Sequence, residues 1–126
     1  MTGPSHVVAW IDERAAKIFA FDRKTAEQET VHHLHGDKQI RHTEDGAYLR
    51  EITDALAGFS EILIVGPGHA KWQLRAYLNQ HAPRISQRVM AVLQADRQSD
   101  RQIVAHARKY FSRIERLTPL KVARIA

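Results

Sequence analysis

The sequence predicts a single α/β domain, a mixed sheet flanked by helices, with elements in the order β-β-β-α-β-α-β-α. Three observations carry that expectation. Two apolar runs, residues 6–12 and 16–21, are separated by Glu13-Arg14 and little else, the spacing of an antiparallel hairpin. Beyond residue 44 the apolar period becomes helical, with Leu49, Ile52, Leu56 and Phe59 on one face. The run Ile62-Leu63-Ile64-Val65 then stops at Gly66-Pro67-Gly68 and passes into a second helical pattern, which reads as a buried strand feeding a helix.

Each element follows in turn. His6-Val7-Val8-Ala9-Trp10-Ile11-Asp12 is the first strand, with Trp10 in the core, and Ala16-Lys17-Ile18-Phe19-Ala20-Phe21 the second, its apolar residues alternating. Residues 22–28 are polar and turn-like, and 29–34 return as a third strand, completing a meander. Residues 36–44 are polar and without hydrophobic period, the mark of a loop. The first helix turns Arg50, Glu51 and Asp54 outward and ends near Gly58. A second helix spans about 70–81, with Leu74, Tyr77 and Leu78 inward, Lys71 and Arg75 outward, and Pro83 closing it. Residues 88–93 form the last strand. Ser99-Asp100-Arg101-Gln102 is a capping box. The final helix buries Ile103, Ala107, Tyr110 or Phe111, Ile114 and Leu117, and turns Arg101, Arg108, Lys109, Arg113 and Arg116 to the opposite side. A meander followed by alternating units is the layout of a ribonuclease H-like sheet layered with helices. The domain is expected over 1–117, with 118–126 a basic arm or a short added strand.

The composition narrows the function. In 126 residues, Lys plus Arg number 19 against 14 Asp plus Glu, a net charge of +5 with histidines neutral. The pI is about 9.9, a balance that suits an anionic partner such as RNA. The absence of cysteine removes disulfides, thiolate metal sites and a cysteine nucleophile. Neither a signal peptide nor a membrane-length apolar run is present in the sequence, so a cytoplasmic protein with no membrane partner is expected.

The corner at residues 62–71 is the leading candidate site. A helix starting near His69 or Ala70 aims its first amides beyond the end of the strand, where a phosphate or carboxylate is stabilised. Glycine and proline can equally do no more than turn the chain. No Asp or Glu occurs from Ile62 to Ala95, whereas Lys71, Arg75, Arg84 and Arg88 all fall in that window. The expected RNA-binding set is therefore Gly66, Pro67, Gly68, His69, Lys71, Arg75, Arg84 and Arg88, with Arg108, Lys109, Arg113 and Arg116 as a secondary basic face. Trp72 is placed either to stack on an unpaired base or to pack against the domain.

Four segments together carry a family resemblance: Val8-Ala9-Trp10-Ile11-Asp12, His32-His33-Leu34-His35-Gly36-Asp37, the corner at 62–71, and Ala107-Arg108-Lys109-Tyr110-Phe111. The chain resembles the central domain of archaeal and eukaryotic class-one peptide-release factors and of Pelota, and more closely the small bacterial translational machinery proteins. That resemblance implies a ribonuclease H-like fold and work on or near the ribosome, with ribosomal RNA or tRNA as partner. Release factors present Gly-Gly-Gln after the third strand. Here the corresponding loop reads His35-Gly36-Asp37-Lys38-Gln39, so the paired glycines that let the glutamine approach the scissile ester are missing. Pelota also lacks the motif and acts by binding, so the resemblance implies a non-catalytic role in stalling, dormancy or rescue.

Two alternatives remain on the sequence alone. Asp12, with Glu51 and Asp96 as companions, could hold divalent ions in a ribonuclease H-like nuclease, although Asp12-Glu13-Arg14 also reads as a hairpin turn. An exposed neutral, apolar patch would point instead to a protein-interaction module. The histidines His32, His33, His35 and His42 are close in sequence but lack a recognisable zinc spacing, so neither a metal nor another cofactor is expected.

Overall fold

The computed structural model describes the backbone of residues 6–21, 26–32 and 42–125, and the side chains of 6–21 and 46–113. The elements are β1 (His6–Ile11), β2 (Ala15–Phe21), β3 (Ala26–His32), α1 (His42–Leu56), β4 (Glu61–Gly66), α2 (Ala70–His81), α3 (Pro83–Ser86), β5 (Val89–Gln94) and α4 (Asp100–Ile125). The described strands form one five-stranded sheet in the order β3-β2-β1-β4-β5. β1 pairs antiparallel with β2 and parallel with β4, so the chain leaves β1 in opposite directions along the sheet. The α/β, ribonuclease H-like arrangement expected from the sequence is the one observed.

Strand alternation divides the core. Val7, Ala9, Ile11, Ile18, Ile62 and Ile64 pack against Tyr48, Ile52 and Leu56 of α1 and Leu74 and Leu78 of α2. On the other face, Val8, Trp10, Phe19, Phe21, Leu63 and Val65 meet Ile103, Ala107 and Phe111 of α4. The buried polar groups that join these layers have partners. Tyr48 donates its hydroxyl hydrogen to the Asp12 carbonyl (3.1 Å), and burial, with the charges of Asp12 and Glu51, drives its acidity far below that of a free phenol. The Trp10 indole donates to the Asp96 carbonyl (3.3 Å).

Four departures from the expectation exceed a one-residue shift of a strand end. β3 occupies Ala26–His32 rather than 29–34, because its register is set by β2, with Phe21 opposite Ala26 and Ala15 opposite His32, and not by its own largely polar sequence. α1 begins at His42, inside the expected loop, since a first turn needs no apolar period and tolerates Glu44 and Asp45 near its positive end. Pro83 opens the short α3 as well as ending α2, its fixed φ suiting a first helical position. Past residue 117 the backbone continues α4 to Ile125 instead of forming an arm or strand, in keeping with the helix-favouring Leu, Lys, Ala and Arg of that stretch.

Candidate nucleic-acid interface

The glycine-proline-glycine corner forms where β4 ends and α2 begins. Gly66 lies so close to β1 that a Cβ there would stand 2.1 Å from the Ile11 carbonyl oxygen, and glycine is required for that approach. His69 is the N-cap of α2; its side chain caps no amide, and the first turn holds no acid. The positive end of the helix dipole thus lacks the usual side-chain compensation. It opens on a cleft of about 290 Å³ bounded by the β1–β2 turn at Asp12 and Arg14, the corner at Gly68 and His69, and Arg97 beyond β5. This is the carboxyl end of β1 and β4, at the point where the sheet order reverses, the customary ligand position in open α/β sheets.

Lys71 departs from its expected outward position. It is only 4% exposed, and its ammonium donates to the Gly68 carbonyl (2.6 Å) and to Gln94 Oε1 (3.1 Å). Gln94 in turn donates through Nε2 to the Pro67 carbonyl (3.0 Å). The lysine reaches back into the turn that precedes its helix and clasps it to β5. A long side chain in the first helical turn can do this because helical side chains lean toward the N-terminus.

The other predicted cations are not gathered around the corner. Arg75 lies half-buried along α2 with Nε 3.5 Å from Asn79 Oδ1. Arg84 is exposed on α3. Arg88 donates from Nη1 to the carbonyls of Ala57 (2.8 Å) and Phe59 (3.2 Å), closing the chain after α1 at the amino end of the sheet. Six-residue strands extend about 20 Å, so Lys71 and Arg88 mark opposite ends of the domain.

On α4 the secondary face is exposed as expected at Arg108, Lys109 and Arg113, joined by Arg101. The Arg108 guanidinium also sits 5.9 Å from the centre of the Phe21 ring. The side chain of Arg116 and the whole segment His35-Gly36-Asp37-Lys38-Gln39 lie outside the described residues, as do His33 and the side chains of His32 and His42. Trp72 is 53% exposed, which leaves its ring available for stacking.

Sequence reasoning missed Arg97 and Gln94. Both lie at the end of β5, and only the β4–β5 pairing brings that end to the corner. Asp12 is committed to local structure: Oδ1 accepts from the amides of Arg14 (2.8 Å) and Ala15 (2.9 Å), and Oδ2 faces Arg97 Nη1 at 3.3 Å. Among the described residues, no three acidic or histidine side chains are grouped to hold a metal, so Asp12, Glu51 and Asp96 do not converge. No helix among them is long and apolar enough to cross a membrane.

Solved structures share this architecture. Pelota from Archaeoglobus fulgidus matches with a TM-score of 0.64 at 16% identity, over 86% of this chain and 32% of that one. Pelota from Thermoplasma acidophilum gives 0.61 at 25% identity, over 78% of this chain and 30% of that one. The chain has a Pelota-like and release-factor-like fold. An archaeal translation termination factor matches with a TM-score of 0.57 at 12% identity, covering 93% of this chain and 40% of that one. The chain thus spans well under half the length of each of these proteins. No protein-family model matches the sequence, and no curated protein matches it.

Proposed function

We propose that this protein contacts ribosomal RNA or tRNA on the ribosome, in the stalling, dormancy or rescue of translation, and does not hydrolyse peptidyl-tRNA. The observation that carries this reading is the likeness of fold to Pelota and to a translation termination factor across most of the chain. The exposed row Arg101, Arg108, Lys109 and Arg113 supplies phosphate contacts that position without reading sequence. The uncapped start of α2, with Arg14 and Arg97 beside it, offers a second place for a phosphate. No two of the six glycines are adjacent, so the backbone that release factors use at the scissile ester has no counterpart. With Asp12 engaged in the β1–β2 turn, binding is favoured over metal-dependent cleavage.

Sedimentation of the tagged protein through gradients of lysate from growing and starved cells tests the reading. Migration with ribosomes or a subunit, weakened by moderate salt and by the triple change Arg108→Ala, Lys109→Ala and Arg113→Ala, is the expected result. Protein that remains at the top of the gradient in every condition would overturn it.

A further inference from the structure

The exposed large apolar residues of the described chain are Trp72, Met90 and Leu93, at 53%, 41% and 40%. Met90 and Leu93 belong to β5, the edge strand. Trp72 follows Lys71, whose ammonium is bonded to Gln94 at the end of the same strand. A single helix about 10 Å across cannot cover a five-stranded sheet whose strands lie about 4.8 Å apart. α4 buries Leu63 and Val65 of β4 together with the apolar residues of β1 and β2, and stops short of β5, where Leu93 stays 40% exposed. The result is a groove of about 270 Å³ floored by Leu63, Val65 and Leu93 and walled by Ile103, His106 and Tyr110 of α4.

The outer margin of β5 has the pairing pattern of a free edge. Ala95 donates its amide to the Gly66 carbonyl on β4, so the alternation of a parallel ladder turns the backbone groups of Val92 and Gln94 away from the sheet. The register shift at Ile62/Leu63 makes Met90 the extra residue of a bulge, which confines regular pairing to the stretch after it.

The opposite face of this edge is basic. Lys71, Arg75 and Asn79 form an i, i+4, i+8 row on α2. One end of the row is tied to β5 through Gln94, and the other to α3 through the hydrogen bond from Ser86 to Asn79 Oδ1. Arg75 therefore lies midway along β5, and Arg84 is exposed on α3, which leads into the strand. No acid occurs in the sequence between residues 62 and 95.

We infer that the β5 edge captures an extended segment of a partner protein by strand addition, with alternate apolar residues seated in the α4 groove and acidic residues facing Arg75 and Arg84. The two faces of an added strand receive alternate side chains, so a groove on one side and the cations Arg75 and Arg84 on the other specify an alternating apolar–acidic segment. A second copy of this chain is the poorer occupant, because pairing β5 with β5 would oppose two basic margins.

The test is selection of random octapeptides displayed on phage against the full chain, followed by binding of a synthetic octapeptide from the enriched pool. Enrichment of alternating apolar and acidic residues is expected, with backbone amide signals of Val92 and Gln94 among those most shifted. Leu93→Lys, which blocks the groove, and Arg75→Glu, which reverses the charge, should each weaken binding about tenfold or more, while their thermal unfolding matches that of the parent. Absence of enrichment, binding that survives both substitutions, or a labelled single-stranded RNA shifting the same β5 amides would overturn the inference.

Discussion

At the scale of single residues, Lys71 changes role between sequence and structure. Helical spacing places it one turn before Arg75, and a lysine after a glycine-rich corner invites a phosphate. The structure instead gives its ammonium two acceptors, Gly68 O and Gln94 Oε1, and almost no exposure. Removing it would leave the carbonyl and amide oxygen without their charged donor and free the corner from β5. Hydrogen bonds to charged groups contribute about 1.5–3 kcal/mol, so Lys71→Ala should lower stability by about 2 kcal/mol in urea unfolding. Arg75→Ala, which loses a long, exposed contact to Asn79, should change stability by less than about 0.5 kcal/mol. Equal effects of the two substitutions would refute the clasp. The position of Lys71 was legible, but its direction was not, because the acceptor on β5 is 23 residues away and reaches the corner only through strand pairing.

At the scale of elements, legibility followed how local the determining force was. The β1–β2 hairpin, the buried β4 and the apolar faces of α1 and α2 are set by short-range pattern, and the structure contains them. The third strand was also anticipated, but its bounds escaped because they come from its partner strand. The start of α4 was readable as a capping box, and the geometry is present: Gln102 N donates to Ser99 Oγ (3.1 Å) and Ser99 N to Gln102 Oε1 (3.0 Å). The pair of contacts from Lys17 to Asp100 (2.9 Å) and from Trp10 to Asp96 then fixes where the helix meets the sheet. Loss of an N-cap hydroxyl costs about 1 kcal/mol, so Ser99→Ala should lower the unfolding free energy by about that amount. Ser99→Asp should restore most of it. An unchanged midpoint for Ser99→Ala would show that tertiary packing alone holds the first turn of α4.

At the scale of the whole molecule, exposed positive charge among the described residues lies on both faces of the sheet. Arg101, Arg108, Lys109 and Arg113 lie on the solvent side of α4, whereas Arg75 and Arg84 border the β5 edge on the other face of the sheet. This division is not legible from the sequence, since charge along a chain does not reveal which side of a sheet it reaches. The division has a measurable consequence for RNA affinity. Each phosphate neutralised releases counterions, and the slope of log K against log salt changes by about 0.7 per contact for single strands and about 0.9 for duplex. If α4 supplies the phosphate contacts, changing Arg108, Lys109 and Arg113 to alanine should flatten the slope for a structured RNA by about 2 to 3, as measured by filter binding over a salt series. Leu93→Lys, at the β5 edge, should leave that slope no flatter than in the parent. A slope that flattens instead with Arg75→Ala and Arg84→Ala, and not with the α4 variant, would move the RNA to the β5 side and set it in competition with the peptide segment inferred for that edge.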